Sequence, residues 1–299
     1  MKKRMLFIYN PNAGKGKIRG QLSEILDVFS RTDYEVIVHA TTGKLDAKSV
    51  AKAYALEDAC DLIVCSGGDG TVNEVAGGLM ECGKDIPVGY IPTGTTNDFG
   101  YSLKLSKNMV QAAECAVNGT AFACDMGSLN GEYFAYTAAF GIFTNVSYDT
   151  PQTAKNILGR MAYILSGIKR LPETKKCHLK IRHNGVEIED DFLYGMFANS
   201  DSVGGFKGIT GKDVLLDDGF YEMLLIKMPQ TLMELQAIVN HLLTGQLNNE
   251  RIYLARVNEV ELESEEEIPW SLDGEYGGSH KEVRIKVYKQ AVHFMRDQF

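Results

Sequence analysis

The segment Leu62-Ile63-Val64-Cys65-Ser66-Gly67-Gly68-Asp69-Gly70-Thr71-Val72-Asn73-Glu74 constrains the fold of this chain more than any other. Four apolar residues in a row, Leu62 to Cys65, call for a strand buried on both faces. After the glycines, Val72, Val75, Ala76, Leu79 and Met80 fall at i, i+3, i+4, i+7 and i+8, the stripe of an amphipathic helix. Glycines let backbone come close to a phosphate, and a helix start turns N–H groups and a positive dipole end toward it. Asp69 adds a carboxylate, which suits a metal ion bridging acid and phosphate. Two plainer readings use the same residues: a tight strand-to-helix connection without a ligand, and Asp69 as a helix cap.

The first 125 residues repeat this alternation. Strands are expected over 5–9, 34–39, 62–65 and 87–91. Helices are expected from the stripe Leu22, Ile25, Leu26 and Phe29 and over 46–56. Such βα repeats imply a parallel sheet with right-handed crossovers, whose ligands bind beyond the carboxyl ends of the strands. Three glycine-bearing turns follow three of the strands: Asn10-Pro11-Asn12-Ala13-Gly14, Gly67 to Thr71, and Pro92-Thr93-Gly94-Thr95-Thr96-Asn97-Asp98-Phe99.

From about Asp125 the texture changes. Strands are expected over 133–140, 176–183, 192–198, 220–226, 251–257 and 283–288, with turns at Asn130-Gly131, Asn184-Gly185 and Asp218-Gly219. That is an antiparallel second domain, interrupted by helices over 155–171 and 232–243. The acidic run from Glu261 to Glu267 reads as a solvated loop or edge. Arg160, Lys169, Arg170, Lys175, Lys176 and Lys180 make the segment after Pro151 the most basic of the chain. It is either a core helix with a solvated basic face or a membrane-docking or substrate-gating helix, and its Arg or Lys residues could also contact the phosphates.

Several function classes lose support. At 299 residues the chain is comfortable for two domains, and its net charge of −8 argues against broad nucleic-acid binding. Six cysteines without a CxxC pair read as buried free thiols in a reducing compartment, not as a zinc site. No apolar stretch reaches the roughly 18 residues needed to span a bilayer, so a soluble, cytoplasmic protein is expected. The Walker lysine loop, the GxSxG elbow and the HExxH zinc motif are all absent. What remains is carboxylate, glycine and threonine chemistry, which suits phosphoryl transfer. Trp270-Ser271-Leu272-Asp273-Gly274-Glu275 holds the only tryptophan and two carboxylates, although Asp273-Gly274 alone is an ordinary β-turn.

Taken in order and spacing, Asn10-Pro11 with Gly14-Lys15, the Gly67–Glu74 block, the Pro92–Phe99 block and Asp273-Gly274-Glu275 resemble the diacylglycerol kinase catalytic family. The similarity is to its soluble bacterial lipid kinases and runs over nearly the whole chain. The Gly-Gly-Asp-Gly-Thr element alone is shared with NAD kinases; the Gly-Thr-x-Asn-Asp-Phe block and the late Asp-Gly-Glu point to the lipid branch. One departure is Thr93, where the family often carries Met or Leu.

The resemblance implies ATP contacts at Asn10, Pro11, Asn12, Ala13, Gly14, Thr41, Gly67, Gly68, Asp69, Gly70, Thr71, Val72, Asn73 and Thr95. It implies that Asp69 and Asp98 serve the catalytic Mg2+ and the phosphates. Asp273 would be the proton acceptor, with Glu275 beside it. A structural magnesium site would use Asp218 and the carbonyls of Leu215 and Phe220, with Asp125 joined through water. The expected architecture is an α/β, Rossmann-like nucleotide domain with a parallel sheet over 1–125, to which 289–299 returns. A mainly antiparallel β-sandwich over 126–288 would take the lipid. The expected activity is ATP-dependent phosphorylation of diacylglycerol or a related lipid alcohol, with transient contact at the inner face of the cell membrane and no nucleic acid. A soluble NAD-kinase-like enzyme and a non-catalytic nucleotide- or lipid-binding regulator are the alternatives. The lipid and the oligomeric state, a homodimer among the options, stay open.

Overall fold

The protein is described here as a computed structural model covering residues 2–95, 97–142, 165, 168, 175–199, 215–244 and 249–297. It divides into two compact units, Met1–Met126 with Lys289–Phe299, and Gly127–Tyr288.

In the first unit the strands are β1 (Lys3–Tyr9), β2 (Tyr34–Ala40), β3 (Leu62–Gly67) and β4 (Val88–Pro92). They pair in parallel, β3 between β1 and β4, and β2 outside β1. Successive residues of β1 and β3 face opposite sides, yet Met5 to Ile8 and Ile63 to Cys65 are all fully buried. Helices therefore cover both faces. On one face Met5, Phe7, Leu62 and Val64 meet Ile25, Val28 and Phe29 of α1 (Leu22–Ser30) and Ala112, Ala113 and Ala116 of α5 (Met109–Asn118). Gly89 lets α5 approach β4, since a Cβ there would lie 2.5 Å from that of Ala116. The other helices are α2 (Asp46–Leu56), α3 (Asp69–Cys82) and the short α4 (Asp98–Ser102). Glu81 of α3 is held at 2.6 and 2.9 Å by Lys48 and Lys52 of α2.

The chain leaves this unit along β5 (Thr120–Leu129) and returns along β13 (Glu275–Arg296), where Phe294 pairs in parallel with Val88 of β4. Neither the length of β5 nor that of β13 is visible in local pattern; only 283–288 reads as strand.

The second unit holds β6 (Glu132–Phe134), β7 (Thr137–Gly141), β8 (Cys177–His183), β9 (Val186–Ala198), β10 (Tyr221–Lys227), β11 (Ile252–Val257) and β12 (Glu259–Leu272), with α6 (Leu232–Thr244). Its pairings are antiparallel. The hairpins at Asn130-Gly131, Asn184-Gly185 and Asp273-Gly274 have positive φ at both residues, as two-residue turns matched to strand twist require.

Two expectations need correction, and a third falls outside the described residues. The strand expected over 133–140 is broken between Phe134 and Thr137, because the amides there turn away from the ladder, as described below. The acidic run is solvated, with exposed glutamates, but it is strand and not loop: Glu261 and Glu263 pair across to Arg284 and Glu282 of β13. The helix expected over 155–171 lies outside the described residues apart from Leu165 and Ile168, and Leu165 is fully buried.

Strands β7, β9, β10 and β12 enclose a core in which Trp270 packs against Phe140 at 4.9 Å and Phe197 at 6.1 Å between centroids. A second core lies on Leu193, Met196, Leu224 and Ile226, covered by Leu235, Ile238, Val239 and Leu242 of α6. All six cysteines are free and five are buried. Burial pushes the Cys60, Cys115 and Cys177 thiols up to about 11. The ring of Phe140 lies against Gly195, where a Cβ would sit 2.1 Å from it. Gly195→Val is therefore expected to lower the unfolding free energy by about 1–3 kcal/mol. In a Phe140→Ala background the same substitution should cost less, which urea midpoints for the four proteins of the cycle will show.

Candidate active site

Within the first unit, backbone hydrogen bonds gather the turns that follow β1, β3 and β4. The Gly67 carbonyl, at the end of β3, accepts from Thr93 N at 2.8 Å and Gly94 N at 3.1 Å. The Asn10 amide donates to Ser66 O at 2.8 Å, and Thr41 N, just past β2, donates to Tyr9 O at 2.9 Å. Glycine is needed where these backbones touch. A Cβ on Gly94 would lie 2.5 Å from the Gly68 Cα, and one on Gly14, already at φ +55°, would lie 2.0 Å from the Thr93 carbonyl oxygen. The three glycine turns read from the sequence thus form one cluster.

Each turn is braced from inside. Asn10 Oδ1 accepts from Asn12 N at 2.9 Å. Asn97, at φ +56°, accepts from Gly94 N at 2.8 Å and donates to Gly94 O at 3.0 Å. Tyr90 reaches up from β4 and donates to Gly67 O at 3.3 Å; burial, with Asp69, Cys65 and Asp98 nearby, pushes its phenol pKa well up, so it stays a neutral donor. Sequence reading passes over Tyr90, because an aromatic in the middle of an apolar strand looks like core.

Asp69 is the hub. Its two carboxylate oxygens accept from Asp98 N at 3.1 Å and Phe99 N at 3.2 Å, the first amides of α4. It caps a helix, as the plainer reading allowed, but the next motif's helix and not its own. Burial and the neighbouring charge of Asp98 push Asp69 up to about 6, against the pull of the backbone hydrogen bonds. Two carboxylates that repel each other beside a glycine cluster are donor chemistry that fits a divalent cation. Thr71 and Val72 give their amides to Gly68 O at 3.0 and 3.3 Å, and the Val72 side chain is fully buried. Asn73 is half-buried and Thr95 exposed. Glu74, which closes the motif in the sequence but is given no role there, accepts from Leu45 N at 2.8 Å and so ties the loop after Thr41 to α3.

In the second unit, Asp273 occupies the turn between β12 and β13 at φ +48° and is 6% exposed. Its carboxylate accepts from Ala135 N at 2.7 Å, Tyr136 N at 3.0 Å and Thr137 N at 2.9 Å. This is what interrupts the strand between β6 and β7. Its own amide donates to Thr137 O at 2.8 Å. Glu275 is exposed two residues on.

The residues of the expected magnesium site are disposed differently from that reading. Asp218 Oδ1 accepts from Phe220 N at 2.9 Å, and Oδ2 is paired with the Arg256 guanidinium. An amide on one oxygen and a guanidinium on the other leave this carboxylate with a charge partner already in place, a poor fit for a cation. Leu215 is exposed. Asp125 is fully buried in the first unit, where its Oδ1 accepts from Gln290 N at 2.7 Å.

Residues 4–129 match the diacylglycerol kinase catalytic domain family, and residues 138–296 match the YegS C-terminal NAD kinase beta sandwich-like domain family. A diacylglycerol kinase of Bacillus subtilis (strain 168) is 35% identical over 96% of this chain and 94% of its own length. One from Staphylococcus carnosus (strain TM300) is 32% identical over 93% and 90%. A solved protein of Bacillus anthracis str. Sterne superposes with a TM-score of 0.81 at 25% identity, covering 99% of this chain and 97% of that one.

An aspartate with a raised pKa holds its proton more tightly folded than unfolded. Its favourable contribution is complete below the unfolded value near 3.8 and is lost as pH rises through about 6. The Asp69 carboxyl signal in 13C spectra, assigned by difference with Asp69→Asn, should titrate near 6 and shift lower in Asp98→Asn. A midpoint near 4 would refute this electrostatic account.

Proposed function

The chain belongs to the diacylglycerol kinase family, and from that premise we propose that it is an ATP-dependent lipid kinase. It transfers the γ-phosphate to the hydroxyl of diacylglycerol or a related lipid alcohol, giving phosphatidic acid. The observation that carries this reading is the cluster of three glycine turns joined through Gly67 O, with Asp69 and Asp98 at its edge. Close-set glycine backbone is what polyphosphate recognition uses.

In this reading the first unit is the nucleotide domain, with ATP across Asn10 to Gly14, Thr41, Gly67 to Asn73 and Thr95. Val72 would serve through its backbone only, since its side chain is core. A divalent cation bound with the phosphates would offset their charge and would be held near Asp69 and Asp98. The second unit takes the lipid. Asp273 accepts the proton of the attacking hydroxyl, its carboxylate oriented by three amides, with Glu275 beside it. An aspartate is a weak base at neutral pH, which a loose transition state tolerates because the proton leaves late.

The lipid is met by transient contact with the inner face of the cell membrane. No helix of the described residues is long and apolar enough to cross one. Of the basic residues after Pro151, Lys176 is paired with Asp191 at 2.5 Å and Lys180 with Glu187 at 2.9 Å.

Purified protein with labelled ATP is expected to phosphorylate dioleoylglycerol in mixed micelles and to leave NAD unlabelled. Label on NAD alone would overturn the lipid reading. Asp273→Asn should lower kcat by about 10²–10⁴-fold while ATP binding by titration calorimetry is retained. An unchanged kcat would remove Asp273 as the proton acceptor.

A further inference from the structure

The turn that leads into β10 carries its own positive charge. Asp218 closes it by accepting from Phe220 N, and Arg256 of β11 reaches over to the second carboxylate oxygen. The guanidinium is fixed on three sides. Its Cζ lies 5.0 Å from the centroid of the Phe220 ring, a stacking contact. Its Nε lies 3.7 Å from Glu222 Oε1. The backbone sets this reach, because Arg256 and Glu222 are directly opposed in the β10–β11 ladder. The guanidinium is charged at every working pH and presents a planar fork suited to carboxylates.

We propose that Arg256 is the resident counter-ion of this turn and does here the structural work that the resemblance assigns to magnesium. A cation at Asp218 would have to share the carboxylate with Arg256 and sit beside a fixed positive charge. The turn and the start of β10 therefore hold together without a divalent ion. Remove the guanidinium, and Asp218 and Glu222 become two acidic groups without that charge between them, a pair that a divalent cation can stabilise. This goes beyond the kinase reading and does not rest on it, because its readout is thermal stability.

The test uses full-length protein without nucleotide, melted in EDTA and in about 10 mM MgCl2. The proteins are the natural chain, Arg256→Gln, Arg256→Lys, Asp218→Asn and the Arg256→Gln/Asp218→Asn double variant. In EDTA, Arg256→Gln should melt about 3–8 °C lower than the natural chain. Magnesium should restore part of that loss, and the double variant should show no such recovery. Arg256→Lys keeps the charge without the fork and should fall between, with a smaller magnesium response. In the natural chain, the shift caused by magnesium should equal the shift in Asp218→Asn. A magnesium shift in the natural chain that Asp218→Asn abolishes would overturn the proposal. So would an Arg256→Gln variant that melts in EDTA like the natural chain, or one that gains nothing from magnesium.

Discussion

The first unit is organised around a carboxylate that bonds to backbone far along the chain. Asp69 sits in the first turn of α3, yet its oxygens satisfy the amides that open α4, 29 and 30 residues later. Because α4 has five residues, it has little stability of its own. Its place is set by Asp69, by Asn97 closing on Gly94, and by Phe99 packing edge-on against Phe294 at 4.8 Å. The turn after β4 therefore takes its shape from the turn after β3. Gly67 O, accepting two amides from beyond β4, welds the pair. A cluster held by its own hydrogen bonds is braced without a ligand, and such pre-organisation lowers the ordering cost of binding.

The second unit repeats the device with a different partner. Asp273 gathers three successive amides, 135 to 137, on a residue 136 or more positions away. Those amides would otherwise continue a strand. In both units a short acidic side chain fixes irregular backbone that regular ladders leave open, and charge-assisted hydrogen bonds are strong enough for that task. Arg256 on Asp218 is the same logic with a side chain as donor.

Local pattern carried the reading of the first unit well. The unbroken apolar run Leu62 to Cys65, followed closely by glycines, reads as a strand covered on both faces and is one, and α2 spans the residues that its pattern proposed. The glycine turns were legible for the same reason, since Gly14 and Gly94 stand where any Cβ collides with another backbone. β12 was illegible because its glutamates disfavour strand locally; pairing with β8 and β13 overrides that preference. The partners of Asp69, Asp218 and Asp273 were illegible too. Sequence shows which residue can accept a hydrogen bond, not which distant amide or guanidinium will offer one. Tyr90 escaped because it looks ordinary in its own strand, and the role of Glu74 because its partner, Leu45 N, lies 29 residues away.

The return of Lys289–Phe299 to the first unit has a consequence for how the protein is made. Phe294 lies against Val88 and Phe99, so the sheet edge at β4 waits for a segment about two hundred residues downstream. During synthesis the larger part of the first unit emerges first and stays unfinished until β13 leaves the ribosome. The second unit is contiguous in the chain, and it too is closed by β13. One late strand, β13, thus completes both units: its first part pairs with β12 and its last part with β4.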